Sequence, residues 1–265
     1  MYSGIALYNT EKLNSKNALD LAETFFKIFD LIITSAGYYK KIEYGAYKGE
    51  HDIVMGSLSD LKKQIGENNT ISFRIYSEKN DIKPWYASFG YTTEQLLGFS
   101  YIDIQYPSIC NESKLITKYI NSFDPNITFS YGINYSCEKV TTAFYYATDT
   151  NLSSIYLYEK TSLFEEECPG RFKGKARYKA SMLRMVYPVN IINSNHLDII
   201  INNITLKEWI FNNKKNGSII KMKNNMWLWL VDSNQIDRIN KTLGETGVLI
   251  SWSPLHLEKK KRKLP

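Results

Sequence analysis

Apolar and polar residues alternate with a period of two along several stretches of the chain. Ile71, Phe73 and Ile75 take turns with Ser72, Arg74 and Tyr76; Ile102, Ile104 and Tyr106 recur within 100–106; Phe129, Tyr131, Ile133 and Tyr135 recur within 128–136. Successive side chains of a strand point to opposite faces, so each segment predicts a strand. Ile5 and Leu7 predict an earlier one, and 85–91 a further extended run. Between these the spacing becomes helical. Leu19, Ala22, Phe26, Phe29 and Ile33 follow Ser15, a capping residue type, and predict a long amphipathic helix that stops before Gly37. Leu58, Leu61 and Ile65 predict a short helix from Ser57 to Gly66; Leu115, Ile116, Tyr119, Ile120 and Phe123 predict another opened by Asn111. Thr92 with Gln95 reads as a capping box. Residues 38–54 read as partly extended, and 140–158 fits either period.

Residues 183–252 carry start and stop signals for element after element. An apolar run, 183–192, leads to His196, Leu197 and Asp198, and Thr205 with Glu208 then forms a capping box that opens a helix. Two β runs, 218–223 and 226–231, flank Asn224 and Asn225, residues that tolerate the positive φ of a tight hairpin. Asp232 and Gln235 open a helix with Ile236, Ile239 and Leu243 on one side, Gly247 ends it, and 248–252 reads as a closing strand. Strand, helix, hairpin, helix, strand predicts an α+β fold, with mixed or antiparallel sheets and helices packed on one face.

Acid gives way to base where Glu165, Glu166 and Glu167 are followed by Cys168, Pro169, Gly170 and a run of Arg and Lys. The expected division is an N-terminal α+β half over 1–164, a C-terminal α+β half over 165–257, and a basic disordered tail over 258–265. Leu61-Lys62-Lys63-Gln64-Ile65 and Leu206-Lys207-Glu208-Trp209-Ile210 each precede a hairpin. That echo fits two similar halves by duplication or the common grammar of α+β proteins.

Composition changes this picture little. At 265 residues the chain can bury a sizeable core without covalent staples. No apolar run approaches the length a bilayer crossing needs, and no leader pattern opens the chain, so a cytoplasmic protein away from membranes is expected. Cys110, Cys137 and Cys168 are odd in number and scattered, which fits reduced thiols and neither a disulfide framework nor a zinc site. The net charge of +6 is concentrated in the tail (Lys259, Lys260, Lys261, Arg262, Lys263), leaving the body nearly balanced.

Catalytic signatures are absent from the pattern. Gly170 to Ala176 lacks the spacing, the preceding strand and the Ser or Thr of a phosphate loop, and no Cys or His pair has metal-ligand spacing. His51 between Glu50 and Asp52, and His196 between two predicted elements, read as a solvated loop residue and a structural residue. No enzyme, no catalytic residue, no metal and no cofactor is expected. Arg171, Lys173, Lys175, Arg177 and Tyr178 interleave cations with aromatics; an exposed loop, a protein contact or a polyanion stripe over 171–184 would each look so. Trp227 and Trp229 share one face of their strand, where a second layer buries them or a partner does. These seven residues are the candidate binding residues.

Leu183-Arg184-Met185-Val186-Tyr187-Pro188-Val189-Asn190, then His196-Leu197, Leu206-Lys207-Glu208-Trp209-Ile210, Asn225-Met226-Trp227-Leu228-Trp229 and 247–252 together resemble bacterial immunity proteins of polymorphic and type VI secretion toxin systems, including the immunity protein 52 group. The resemblance covers the last part of the chain best. It implies a cytoplasmic α+β protein whose partner is one cognate toxin, blocked sterically. The alternative is a nucleic-acid-binding enzyme or accessory factor using the 171–184 stripe; with a balanced body, nucleic acid is not the expected partner.

Overall fold

The first strand lies in the middle of a ten-stranded sheet. A computed structural model describes residues 1–254 other than 43, 47, 48, 149–152, 169–173 and 224. Its strands are β1 (Tyr2–Tyr8), β2 (Ser35–Lys41), β3 (His51–Gly56), β4 (Thr70–Lys79), β5 (Ile82–Thr92), β6 (Tyr101–Pro107), β7 (Tyr131–Cys137), β8 (Val189–Asn193), β9 (Ile200–Ile201), β10 (Ile204–Thr205), β11 (Ser218–Lys221) and β12 (Met226–Leu230). The helices are α1 (Ser15–Ile28), α2 (Leu58–Gly66), α3 (Glu94–Leu97), α4 (Glu112–Asn121), α5 (Val140–Thr148), α6 (Ser162–Glu165), α7 (Ser194–Leu197), α8 (Leu206–Phe211) and α9 (Ile236–Glu245). The large sheet runs β11-β12-β8-β7-β1-β6-β5-β4-β2-β3, with every neighbouring pair antiparallel, and β9 and β10 form a small ladder apart from it. The fold is α+β, built on one antiparallel sheet that does not close into a barrel. The sheet passes position 165 without a break, because β7 pairs with β8 through Gly132 opposite Ile191 and Asn134 opposite Val189.

Alternation along β1 explains the layering. Ile5 and Leu7 point to one face, where α1, α2 and α4 cover them with Leu19, Phe25, Phe26, Leu61, Ile116 and Tyr119. Ala6 and Tyr8 point to the other, where Tyr146 of α5, Phe164 of α6, Ile210 of α8, and Ile239 and Leu243 of α9 pack. One covered face was the expectation, and helices lie on both. The reason is that β1 is apolar on both sides and β7 and β8 turn Ile133, Tyr135 and Ile192 to the second face, which a sheet tolerates only when each side is buried.

Local signals account for most boundaries. Ser57 and Asp60 close the capping box of α2, and Thr205 with Glu208 that of α8. At α1 the cap is Asn14, whose side chain accepts the Asn17 amide at 2.8 Å, while the Ser15 hydroxyl bonds the Thr70 carbonyl. The Thr92 and Gln95 box does not form: Thr92 is held in β5 opposite Tyr101, and Thr93 precedes α3 without a side-chain cap bond. The ambiguous stretch opens as α5 and continues irregularly.

Candidate docking surface

Two ion pairs, each with a buried acid, lie on the second face. On β4, the Arg74 guanidinium donates two bonds of 2.7 Å to the buried Asp103 carboxylate and stacks over Phe144. Gly90 is a close-approach position, since a Cβ there would collide with both partners. Further along, Arg184 and Glu159 are fully buried, with Nε 3.7 Å from Oε1. Arg184 also donates to the Tyr146 carbonyl at 2.7 Å and lies over the Tyr146 and Phe164 rings. Tyr146 donates its hydroxyl to Glu159 at 2.6 Å. Burial holds the Glu159 carboxyl above its ordinary range, with Arg184 opposing the rise.

Glu159 anchors the segment just before it. Its Oε2 accepts the Ile155 amide, Tyr156 donates to the Val186 carbonyl, and Tyr158 donates to Asp237 at 2.7 Å. The Tyr156 and Tyr158 rings stack at 5.4 Å and 5°. Lys160 N and Ser253 N bond the carbonyls of Ser251 and Tyr158, which lays Trp252 alongside. Trp252 in turn rests on α9 at Gly244, where any Cβ would strike its indole. With its neighbours tied, Leu157 is left 91% exposed.

The result is a groove of about 620 Å³ between this segment and α9, walled by Ile155, Tyr156, Tyr158, Trp252 and Pro254 and rimmed by Asp237, Lys241 and Glu245. An aromatic wall with a charged rim suits an apolar side chain carried on a polar partner. Burial and the Asp237 bond raise the Tyr158 phenol far above its usual range, so it stays a neutral donor.

The residues singled out from sequence lie elsewhere. Trp229 is fully buried, donates its indole N–H to the Asn216 carbonyl at 2.8 Å and packs edge-on against Trp209. Trp227, on the same face, is half-buried with the Lys221 ammonium 5.7 Å from its ring. Tyr178 is buried against Tyr8 and Phe164. The burial of Trp229 and Tyr178 keeps both side chains from reaching a partner. Arg171 and Lys173 lie outside the described residues, as does the basic tail. Lys175 is exposed. Arg177 is bound through its guanidinium and its amide to Glu167, Lys179 approaches Glu11 at 3.6 Å, and Arg184 is buried, so little of the described stripe is free for phosphate. Among the described residues no group of His, Cys, Asp and Glu is placed to hold a metal ion. His196 is enclosed and serves α7 as part of its cap.

The groove was missed because 155–158 lay in the stretch that fits both periods. One signal was present: Arg184 stands inside an apolar run, and a cation there calls for a buried acid.

No protein family matches the sequence, and no curated protein is similar to it. No helix of the described residues is long and apolar enough to cross a membrane. Among solved structures, the chain shares its fold with a Pseudomonas aeruginosa T6SS protein, at a TM-score of 0.55 and 10% identity over 94% of this chain and 73% of that one.

Proposed function

We propose that this chain is an immunity protein of a type VI secretion system, which binds one cognate toxin in the cytoplasm and blocks it sterically without chemistry of its own. The observation that carries this reading is the fold held in common with a T6SS protein over 94% of the chain. The groove beside Leu157 supplies a contact of the right kind, since docking needs a rigid shaped exterior and not titrating groups. The net charge of +6 favours a toxin that does not present a cationic nucleic-acid groove.

The test is co-expression with the toxin encoded beside this chain's own gene. Growth rescue and a complex that survives gel filtration are expected, and Leu157→Asp should weaken that complex about tenfold or more, the scale of one apolar anchor. A toxin that stays active and unbound in the presence of the wild-type chain would overturn the reading.

A further inference from the structure

Twice on its second face the fold seats a guanidinium among aromatic rings and a carboxylate. Arg74 lies 4.7 Å from the centre of the Phe144 ring and 5.9 Å from that of Trp85, with Asp103 as its acid. Arg184 lies 3.9 Å from the Tyr146 ring and 4.5 Å from that of Phe164, with Glu159 as its acid. The ring quadrupole attracts a cation over its face, and a carboxylate within reach adds a charge-assisted bond.

The groove beside Leu157 repeats the rings and the acid. Tyr158 stacks on Tyr156, and among the described residues no other ring meets it. Trp252 rests on Gly244. Both rings are half-buried, and both wall the groove. The Tyr158 hydroxyl fixes the Asp237 carboxylate at the rim through its 2.7 Å bond to Oδ1. Asp237, Lys241 and Glu245 follow one another at helical spacing and form one stripe of α9 along the opening. Two carboxylates against one ammonium make this rim acidic on a chain of net charge +6. The ammonium itself sits 4.0 Å from Glu245 on a side chain 73% exposed, a pair weak enough to be displaced. Among the described residues no cation lies over the Tyr158 or Trp252 ring.

We propose that the groove takes an arginine side chain presented by a partner protein, with its stem and guanidinium plane against Tyr158 and Trp252 and its charge between Asp237 and Glu245. The stem supplies the apolar contact the wall suits, and the head supplies the charge the rim opposes. A carboxylate there would meet two of its like. Lysine would answer the charge, but its compact ammonium has no planar face to lay on two rings. That the arginine belongs to a toxin rests on the function proposed above; that the groove takes arginine does not.

Titration of the full chain with Nα-acetyl-arginine amide, followed at the Trp252 indole N–H in proton–nitrogen NMR spectra, tests the inference; loss of that signal in Trp252→Phe assigns it. A saturable shift is expected. Nα-acetyl-citrulline amide, of the same shape without the charge, should bind about tenfold more weakly. Asp237→Asn, which keeps an acceptor for Tyr158, should weaken arginine binding about fivefold, and Lys241→Gln should tighten it about threefold, a gain that a damaged fold cannot give. The proposal is overturned by the absence of a shift, by citrulline or leucine amide binding as tightly as arginine amide, or by a Lys241→Gln chain that binds no more tightly than the wild type. Tighter binding of free L-arginine than of the amide also overturns it, giving the groove to the amino acid. Binding that appears only after Lys259, Lys260, Lys261, Arg262 and Lys263 are changed to Gln overturns it as well, giving the groove to the chain's own cations. No arginine binding beside an intact toxin complex defeats this inference and leaves the immunity reading standing; arginine binding without a toxin complex does the reverse.

Discussion

The His196 ring accepts the Asn193 amide at Nδ1 (3.2 Å), and its Nε2 sits 2.8 Å from the Tyr178 carbonyl, so Nε2 carries the proton and the ring is neutral. Burial lowers its pKa to about 4 from the ordinary 6.5. A depressed imidazole pKa means that the unfolded chain binds the extra proton first. The associated stability is complete above about 6.5 and is lost as pH falls from there toward about 4, at roughly 1.4 kcal/mol per pH unit. Between pH 7 and pH 5 the wild type should therefore lose about 2 kcal/mol more than His196→Gln, read from urea unfolding at the two pH values. The raised pKa of Glu159 acts in the opposite direction, weakening the fold as pH rises above its unfolded value, but it is common to both proteins and drops out of the difference. The same residue shows what composition conceals: a histidine between a strand and a helix reads alike whether it titrates or caps, and only enclosure separates the two.

Elements with complete local signals form where the pattern places them. Thr205 accepts the Glu208 amide at 3.2 Å and Glu208 accepts the Thr205 amide at 2.8 Å, so both halves of the capping box are present. Thr205→Ala should cost about 1 kcal/mol, measured as a shift of the urea midpoint at unchanged slope. The elements that differ from expectation were reshaped by their partners. The first helix ends at Ile28 and Asp30 turns with φ 53°, because Ser35 is drawn into the sheet opposite Tyr76. The apolar run 183–192 yields a strand only from Val189; Leu183, Met185, Val186 and Tyr187 are spent in the core under the second face. The predicted closing strand at 248–252 meets Leu183 and Glu159 through isolated bridges and never joins the main sheet.

At the scale of the molecule, Arg184 and Glu159 connect parts far apart in sequence. Arg184 reaches Tyr8 of β1 at 3.3 Å and the end of α5, and Glu159 holds the groove segment. Arg184→Met should cost about 3–5 kcal/mol, because it leaves a carboxylate buried without its cation. Adding Glu159→Leu should recover part of that loss in urea unfolding, since an apolar pair of similar volume escapes the desolvation cost of the ions. A double variant no more stable than Arg184→Met would show that Glu159 is held chiefly by its bonds to Tyr146 and Ile155.

The sequence by itself determined the α+β class, the strands with period-two alternation, and the helices opened at Ser57 and Thr205, because each depends on residues within a few positions of one another. Tertiary structure alone decided that helices cover both faces, that Trp229 and Tyr178 are interior while Leu157, Ile53 and Met55 are exterior, and that β3 is left at an edge. An apolar side chain obeys the same periodicity whichever layer covers it. What covers it is set by contacts between residues distant along the chain, and those contacts also define which surface remains open to a partner.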